Sequence, residues 1–446
     1  MTRPIGIDLF AGAGGMSLGF EQAGFDIAAA VEIDPVHCAV HAYNFPKTKV
    51  VARSVVGLTS AHIRMVAGIG NRDIDCVFGG APCQGFSLIG KRALDDPRNQ
   101  LVNEFVRIVS ELNAKSFVFE NVKGLTVGKH KKLLLELVAA FEKKGYEVQM
   151  PWSVLNAAHF GVPQFRERLF LMGVKKGETL PEYPLPVTSP ADGKKFIDGL
   201  PLGPTVSDAI GDLPNSDRFQ SLLSSDSVST KLFGEPSEYA KELRCLNDNS
   251  WHSGYARKWE PTVLTSSART NHTEISRRRF SETKPGNVEP ISRYFRLSFD
   301  GLSNTLRAGT DGARGAFTSP RPIHFKYTRC ITVREMARLH GFPDWFRFNV
   351  TKWHGARQIG NSVPPPLARA VANSVRVALG FIGERSEETV VLGDPHLLKF
   401  DLSSASKYFD VERPSSKRDR KSGARKRKQI DIERDRIAAE QATAHG

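Results

Sequence analysis

The sequence predicts an α/β protein, a doubly wound parallel sheet covered by helices and followed by a smaller, irregular region. Short apolar runs alternate with helix-patterned segments through about the first 180 residues. A glycine loop, Asp8-Leu9-Phe10-Ala11-Gly12-Ala13-Gly14-Gly15, joins the first run to the first helix. Near residue 180 the texture changes, with Pro181, Pro184, Pro186, Pro190, Pro201 and Pro204 crowding together.

Each element has its own signal. Residues 4–10 are an apolar strand. Met16 to Ala23 has a helical pattern and stops at Gly24. Asp26 to Val31 is the next strand, with Glu32 at its end, which completes a β-loop-α-β unit. Residues 75–78 and 116–119 are short, apolar, buried-strand segments. Between them, Leu101, Phe105, Ile108, Val109 and Leu112 recur at helical spacing. Leu133, Leu134, Leu137, Val138 and Phe141 do so again before Gly145. Arg168 to Met172 is a further strand. A patterned helix returns at Thr332–His340, closed by Gly341, and another covers 366–379 after Pro364-Pro365-Pro366. From about 402 the chain is rich in Ser, Lys and Arg and is expected to be disordered. No internal repeat is visible.

At 446 residues, two or three domains are expected. No apolar run approaches the ~18 residues of a membrane span, and the N-terminus reads directly into a strand, so a cytoplasmic protein is expected. Cys38, Cys76, Cys83, Cys245 and Cys330 are odd in number and widely spaced, which argues against a disulfide scaffold or a zinc site. One reactive cysteine among buried ones fits better. The net charge of +14 suggests a polyanionic partner. Residues 401–446 carry 12 Lys/Arg against 8 Asp/Glu, so most of the excess lies elsewhere.

Four motifs could carry chemistry. The glycine loop lets backbone pass close to a bound nucleoside, and Glu32 could accept from ribose hydroxyls. A dinucleotide fingerprint starting at Gly12 would need Gly or Ala at 17; Ser17 stands there instead, which disfavours a nicotinamide oxidoreductase. Cys83 follows Gly79-Gly80 and is either a buried hydrophobe or a thiolate activated by nearby positive charge. Glu120, at the next strand end, either caps a loop or holds a proton for a bound base. Arg166 and Arg168 are two apart and share a face; one could bond a base and the other order nearby loops or phosphate, or both could be solvated.

Pro82-Cys83-Gln84, Glu120-Asn121-Val122, Gln164-Phe165-Arg166-Glu167-Arg168 and Gly360-Asn361-Ser362-Val363-Pro364 follow the glycine loop in this order. Together they resemble the DNA (cytosine-5)-methyltransferases of bacterial restriction-modification systems. The resemblance implies a Rossmann-like S-adenosylmethionine-dependent methyltransferase domain on a doubly wound mixed sheet, with a smaller irregular target-recognition domain. It implies Cys83 as nucleophile toward C6 of a flipped-out cytosine, and Glu120, Arg166 and Arg168 as cytosine-pocket residues. Phe10, Ala11, Gly12, Gly14, Gly15, Glu32, Pro82, Asn361, Ser362 and Val363 fall in its S-adenosylmethionine site. Gly85-Phe86-Ser87 falls in the loop that closes over the base. Gln84, Ser87, Thr305, Leu306 and Arg307 are the implied DNA contacts, and Arg334 lies in the helix that supports the recognition domain. Ser54-Val55 occupies the stretch where the family often has an acid that contacts adenine, which leaves that contact unassigned.

The expected organisation is a catalytic domain over 1–185, target recognition over 186–345, a returning segment over 346–385 and a basic tail over 386–446. Double-stranded DNA is the expected partner, with S-adenosylmethionine as methyl donor, no metal, a monomeric state and a cognate restriction endonuclease. Arg269, Arg277, Arg278 and Arg279 could meet phosphate or guanine, or form a solvated face. An RNA cytosine-5 methyltransferase and a non-catalytic DNA-binding module are the alternatives. The long recognition region argues against the first, and the set Cys83, Glu120 and Arg168 against the second.

Overall fold

A computed structural model describes residues 3–82, 99–128, 130–193, 195–310 and 318–413. Its centre is a sheet built from β1 (Ile5–Leu9), β2 (Asp26–Glu32), β3 (Lys49–Ala52), β4 (Cys76–Gly79), β5 (Ser116–Val122), β6 (Tyr146–Val148), β7 (Ser153–Asn156) and β8 (Glu167–Lys175). The order is β3-β2-β1-β4-β5-β8-β6, with β7 also pairing β8. β1 to β5 are parallel neighbours. β8 runs antiparallel to β5, β6 and β7. Strand alternation alone implied a parallel sheet, whereas the mixed sheet is the one the family resemblance implied. No α-helix separates β6, β7 and β8, only a single 3-10 turn over Ala157–Phe160, which is too short to carry the chain back for a parallel crossover.

The alternating side chains of these strands fill two cores. Ile7, Leu9, Val77, Phe117, Phe119, Leu169 and Leu171 face one side. There they meet α3 (Ser60–Ala67), α4 (Gln100–Glu111) and α5 (His130–Lys143), and Phe117 stacks on Phe141 at 3.7 Å. Phe78, Val118, Phe170 and Met172 face the other side. Phe78 stacks on Phe20 of α1 (Gly15–Gln22) at 3.6 Å. α2 (Pro35–Asn44) starts at Asp34, whose carboxylate accepts from Val36 N–H at 2.9 Å, with Pro35 in the first turn. Apolar periodicity does not mark α2, β3, α3, β6 or β7. α2 is buried nearly all round, so its polar stripe is absent, and the strands are only three or four residues long.

Residues 206–361 gather a third core around Ile210, Leu222, Leu306, Met336, Phe342 and Phe346. Regular structure there is sparse: α6 (Val206–Ile210), α7 (Glu238–Leu243), α8 (Glu274–Glu282), α9 (Val333–Arg338) and α10 (Lys352–Asn361), with the short strands β9 (Val228–Ser229), β10 (Ala256–Lys258) and β11 (Val263–Leu264). Buried ion pairs pin it. Arg338 bonds Asp344 at 2.6 Å and Asp212 at 3.2 Å, and Arg329 bonds Glu335 at 2.7 Å. α11 (Pro365–Ala378) then returns to lie along α1, where Gly19 allows close approach to Ala368.

The stretch placed in the basic tail starts out ordered. β12 (Thr389–Val391) pairs in parallel with β10, and α12 (Leu402–Tyr408) follows. Leu397, Leu398, Phe400 and Ala405 pack on Val36, Val40 and Tyr43 of α2. Four apolar side chains with a buried partner are enough to hold this segment, most of which precedes the Ser/Lys/Arg-rich stretch that begins near 402. Among the described residues, no helix is long and apolar enough to cross a membrane.

Candidate active site

β1 pairs with β2 on one side and with β4 on the other, so the chain reverses its winding between β1 and β4. The crevice outside the carboxyl ends of those strands is where ligands bind in such sheets. The glycine loop leaves β1 there, and the chain leading to Cys83 leaves β4. Phe10 takes φ +61°, Gly12 +56° and Gly14 +102°. A Cβ on Gly12 would reach only open space. Gly15 instead abuts the returning segment, where a Cβ would lie 2.6 Å from the Val363 carbonyl oxygen and 2.8 Å from Ser362 Cβ. Ala11 N–H donates to the Val31 carbonyl at 3.1 Å.

Glu32 accepts from Gly12 N–H and Asp34 N–H, each at 2.8 Å. A carboxylate offers about four acceptor positions, so it keeps capacity for hydroxyl donors. Beneath the loop, Ser17 donates to the buried Asp8 carboxylate at 2.6 Å and lies 3.0 Å from His41 Nε2. Burial pushes Asp8 up to about 8 and holds His41 down to about 3. Ser17, the residue that breaks the dinucleotide pattern, therefore belongs to the floor of the loop.

Glu120 and Arg168 form the second half of the site. Arg168 Nε lies 2.9 Å from Glu120 Oε1, and each side chain is 13% exposed. Burial raises the Glu120 pKa, while Arg168 and then Arg166 oppose that rise. Gly80 has no Cβ because the Glu120 carboxylate occupies that space. Asn121 donates from its side-chain amide to the Ala81 carbonyl at 2.9 Å, which ties β5 to the segment leading to Pro82. Pro82 is exposed. Cys83, Gln84, Gly85, Phe86 and Ser87 lie outside the described residues. Burial raises the thiol pKa of Cys38, Cys76, Cys245 and Cys330, so none of these four is poised as a thiolate.

Arg166 has a different setting from Arg168. It is 1% exposed and donates to the carbonyls of Leu306 at 2.9 Å, Gly360 at 2.8 Å and Ser362 at 2.7 Å. It thereby holds the 306 and 360–362 segments against the entrance of β8, the loop-ordering role open to one of the two arginines. Gln164, given no role from sequence, is fully buried. It accepts from Leu306 N–H at 3.1 Å and lies 2.9 Å from His340 Nδ1. Its place two residues before Arg166 was the available signal. Thr305 is exposed and donates to the Phe165 carbonyl at 2.7 Å. Leu306 is buried, which removes it from any groove surface, whereas Arg307 and Asn361 are exposed. Arg269 and Arg277 both engage Asp217. Arg334 is buried and bonds Thr265 Oγ1 and the Phe346 carbonyl.

A family model described as C-5 cytosine-specific DNA methylase matches residues 5–376. The chain belongs to that family. This methylase is 57% identical over 411 residues to the Type II methyltransferase M.XorII of Xanthomonas oryzae pv. oryzae, covering 92% of this chain and 93% of that protein. It is 33% identical over 374 residues to M1.HphI of Haemophilus parahaemolyticus, covering 83% and 86%. Among solved structures, a prophage-encoded E. coli protein described as a DNA modification methyltransferase superimposes with a TM-score of 0.67 at 32% identity, covering 84% of this chain and 99% of that one. The methylase is thus a DNA (cytosine-5)-methyltransferase on a Rossmann-like α/β fold. The family implies S-adenosylmethionine as methyl donor, and the open space at Gly12 beside the Glu32 carboxylate fits an adenosyl group. Among the described residues, no group of three or more His, Cys, Asp or Glu is placed to hold a metal ion.

Proposed function

We propose that this methylase modifies C5 of one cytosine in a specific duplex DNA sequence, through a covalent adduct between Cys83 and C6 of a base swung out of the helix. The observation that carries this reading is the Glu120–Arg168 pair, sunk at the carboxyl end of β5 beside the exit of β4.

S-adenosylmethionine, held by residues 10–15, Glu32 and the 361–363 segment, supplies an electrophilic methyl group on a sulfonium. Cytosine C5 is too electron-poor to take that methyl unaided. Addition of the Cys83 thiolate to C6 moves electron density to C5 and N3. Glu120 is suited to hold a proton at N3, since burial favours its neutral form. Arg168 bonds the Glu120 carboxylate and fixes its orientation. After C5 is methylated, a base removes the C5 hydrogen as a proton and the Cys83–C6 bond breaks, restoring the thiolate. None of this can reach a stacked base, which is why the cytosine must leave the helix.

Site choice falls to residues 186–345, the proposed recognition domain, with Thr305 and Arg307 on the DNA side. Residues 1–185 and the returning 346–385 form the proposed catalytic domain. The Type II naming of the relatives supports service as the modification enzyme of a restriction-modification system, paired with an endonuclease of the same site. The chain would act as a cytoplasmic monomer on double-stranded DNA.

The test is duplex DNA carrying 5-fluorocytosine at the mapped target. Fluorine cannot leave C5 as a cation, so the adduct should survive denaturing electrophoresis and carry both the methyl group and the Cys83 peptide, but only with S-adenosylmethionine present. Normal turnover on ordinary DNA with no trapped adduct would rule out addition at C6. Labelled methyl transfer to tRNA rather than duplex DNA would instead favour an RNA substrate.

A further inference from the structure

Beside Glu32 lies an open groove of about 780 Å³. It sits at the carboxyl ends of β2 and β3, where Glu32 and Ala52 are register partners. Ile33, Val56 and Leu58 give it apolar surface, and Asp410 and Glu412 line it from the other side. Among the described residues that line it, these two are the only carboxylates. Ser54 also lines it, but its hydroxyl already accepts from Val56 N–H at 3.1 Å. Arg53 and Arg413 face the groove as well; a guanidinium cannot accept a hydrogen bond.

The wall that brings the carboxylates is anchored. Ala405 and Leu398 pack on α2, which starts two residues after Ile33. Val350 N–H donates to the Leu398 carbonyl at 3.0 Å, and Val411 N–H to the Ser406 carbonyl at 3.0 Å. Asp410 ends α12 with φ +51°, a conformation that Asp and Asn adopt more readily than most residues. The whole wall lies beyond residue 376, where the family match stops.

Ile33, the residue that follows Glu32, lines this groove, so the base of a nucleoside whose ribose meets Glu32 is within reach of it. A purine there needs apolar surface for its faces and an acceptor for an exocyclic amine. We propose that the Asp410–Glu412 segment forms the outer wall of the adenine end of the cofactor cleft, and that its carboxylates accept from the adenine amine. The proposal rests on S-adenosylmethionine being the cofactor. It gives the chain beyond the family match a direct part in cofactor selection.

The experiment is calorimetric titration of the full chain with S-adenosylhomocysteine and with S-inosylhomocysteine, in which an oxo group replaces the amine. Wild-type protein should prefer the adenosyl compound by about ten-fold or more, one good hydrogen bond's worth. The double variant Asp410→Asn/Glu412→Gln should bring that preference to within about two-fold with an unchanged melting temperature, since both side chains are exposed. A double variant that keeps the wild-type ratio overturns the proposal. So does a wild-type protein that binds both compounds equally, although the cofactor reading then stands. If wild-type protein binds neither, the cofactor reading falls together with the proposal. Should the double variant unfold, Asp410→Asn and Glu412→Gln are titrated singly, and an unchanged ratio in both overturns it.

Discussion

Arg168 reaches diagonally across the β5–β8 pair to Glu120. Val122 is the register partner of Arg168 and Phe170 that of Glu120, so the two side chains lie on one face, one diagonal step apart. The 2.9 Å contact is nearly dry. An antiparallel β8 is what makes it possible, because only that direction brings the Gln164–Arg168 motif to the same end of the sheet as Glu120.

Glu120→Gln should lower methyl transfer by about 10²-fold or more while leaving S-adenosylmethionine binding intact, because an amide cannot deliver a proton to N3. Gly80→Ala should have a similar effect by another route, since its Cβ would displace the Glu120 carboxylate. Single-turnover rates with labelled cofactor, beside binding titrations, check both. A fully active Gly80→Ala enzyme would show that Glu120 need not sit where the structure puts it.

Arg166 and Arg168 should separate when each is replaced by Met. Arg166→Met leaves three buried carbonyls without their donor and should cost roughly 3 kcal/mol or more of stability. Arg168→Met should lose activity with a much smaller drop in melting temperature. Thermal melts and turnover on the same preparations distinguish the two; equal destabilisation would contradict the division of roles.

Asp8 sets a pH dependence. Its folded pKa of about 8 lies above the ordinary carboxylate value of 3.8. Between those values the folded state keeps a proton that the unfolded chain has lost, so stability falls as pH rises, at up to about 1.4 kcal/mol per unit. The loss levels off above about pH 8. Asp8→Asn should remove this part of the slope in denaturant titrations run from pH 5 to 8. An unchanged slope would mean that Asp8 is not the group responsible.

Two truncations should differ in kind. Removing residues 414–446 deletes ten Lys/Arg against five Asp/Glu. It should weaken DNA binding through non-specific attraction, reduce the salt dependence of that binding, and leave the methylated site unchanged. Removing 402–446 also strips Ala405 from its packing on α2 and should lower the melting temperature by a few degrees. A changed methylation context after the shorter truncation would show that the tail reads bases.

Much of this was legible in the sequence for local reasons. Short apolar runs marked β1, β2, β4 and β5, which are buried on both faces, and helical apolar spacing marked α4 and α5, which each bury one face. The ordered motifs marked the family because their chemistry needs particular residue types. The choice between Arg166 and Arg168 was not legible: two arginines on one strand entrance look alike until carbonyls 140 and 196 positions away claim one of them. Nor was Gly80, whose missing side chain makes room for Glu120 from the next strand. The Asp8–Ser17–His41 contact depends on α1 and α2 folding back over β1, and the ordered 389–408 segment depends on α2 offering an apolar face. Local chemistry and periodicity are written along the chain. Which buried polar group meets which depends on distances that exist only once the sheet has closed its order and β8 has taken its direction.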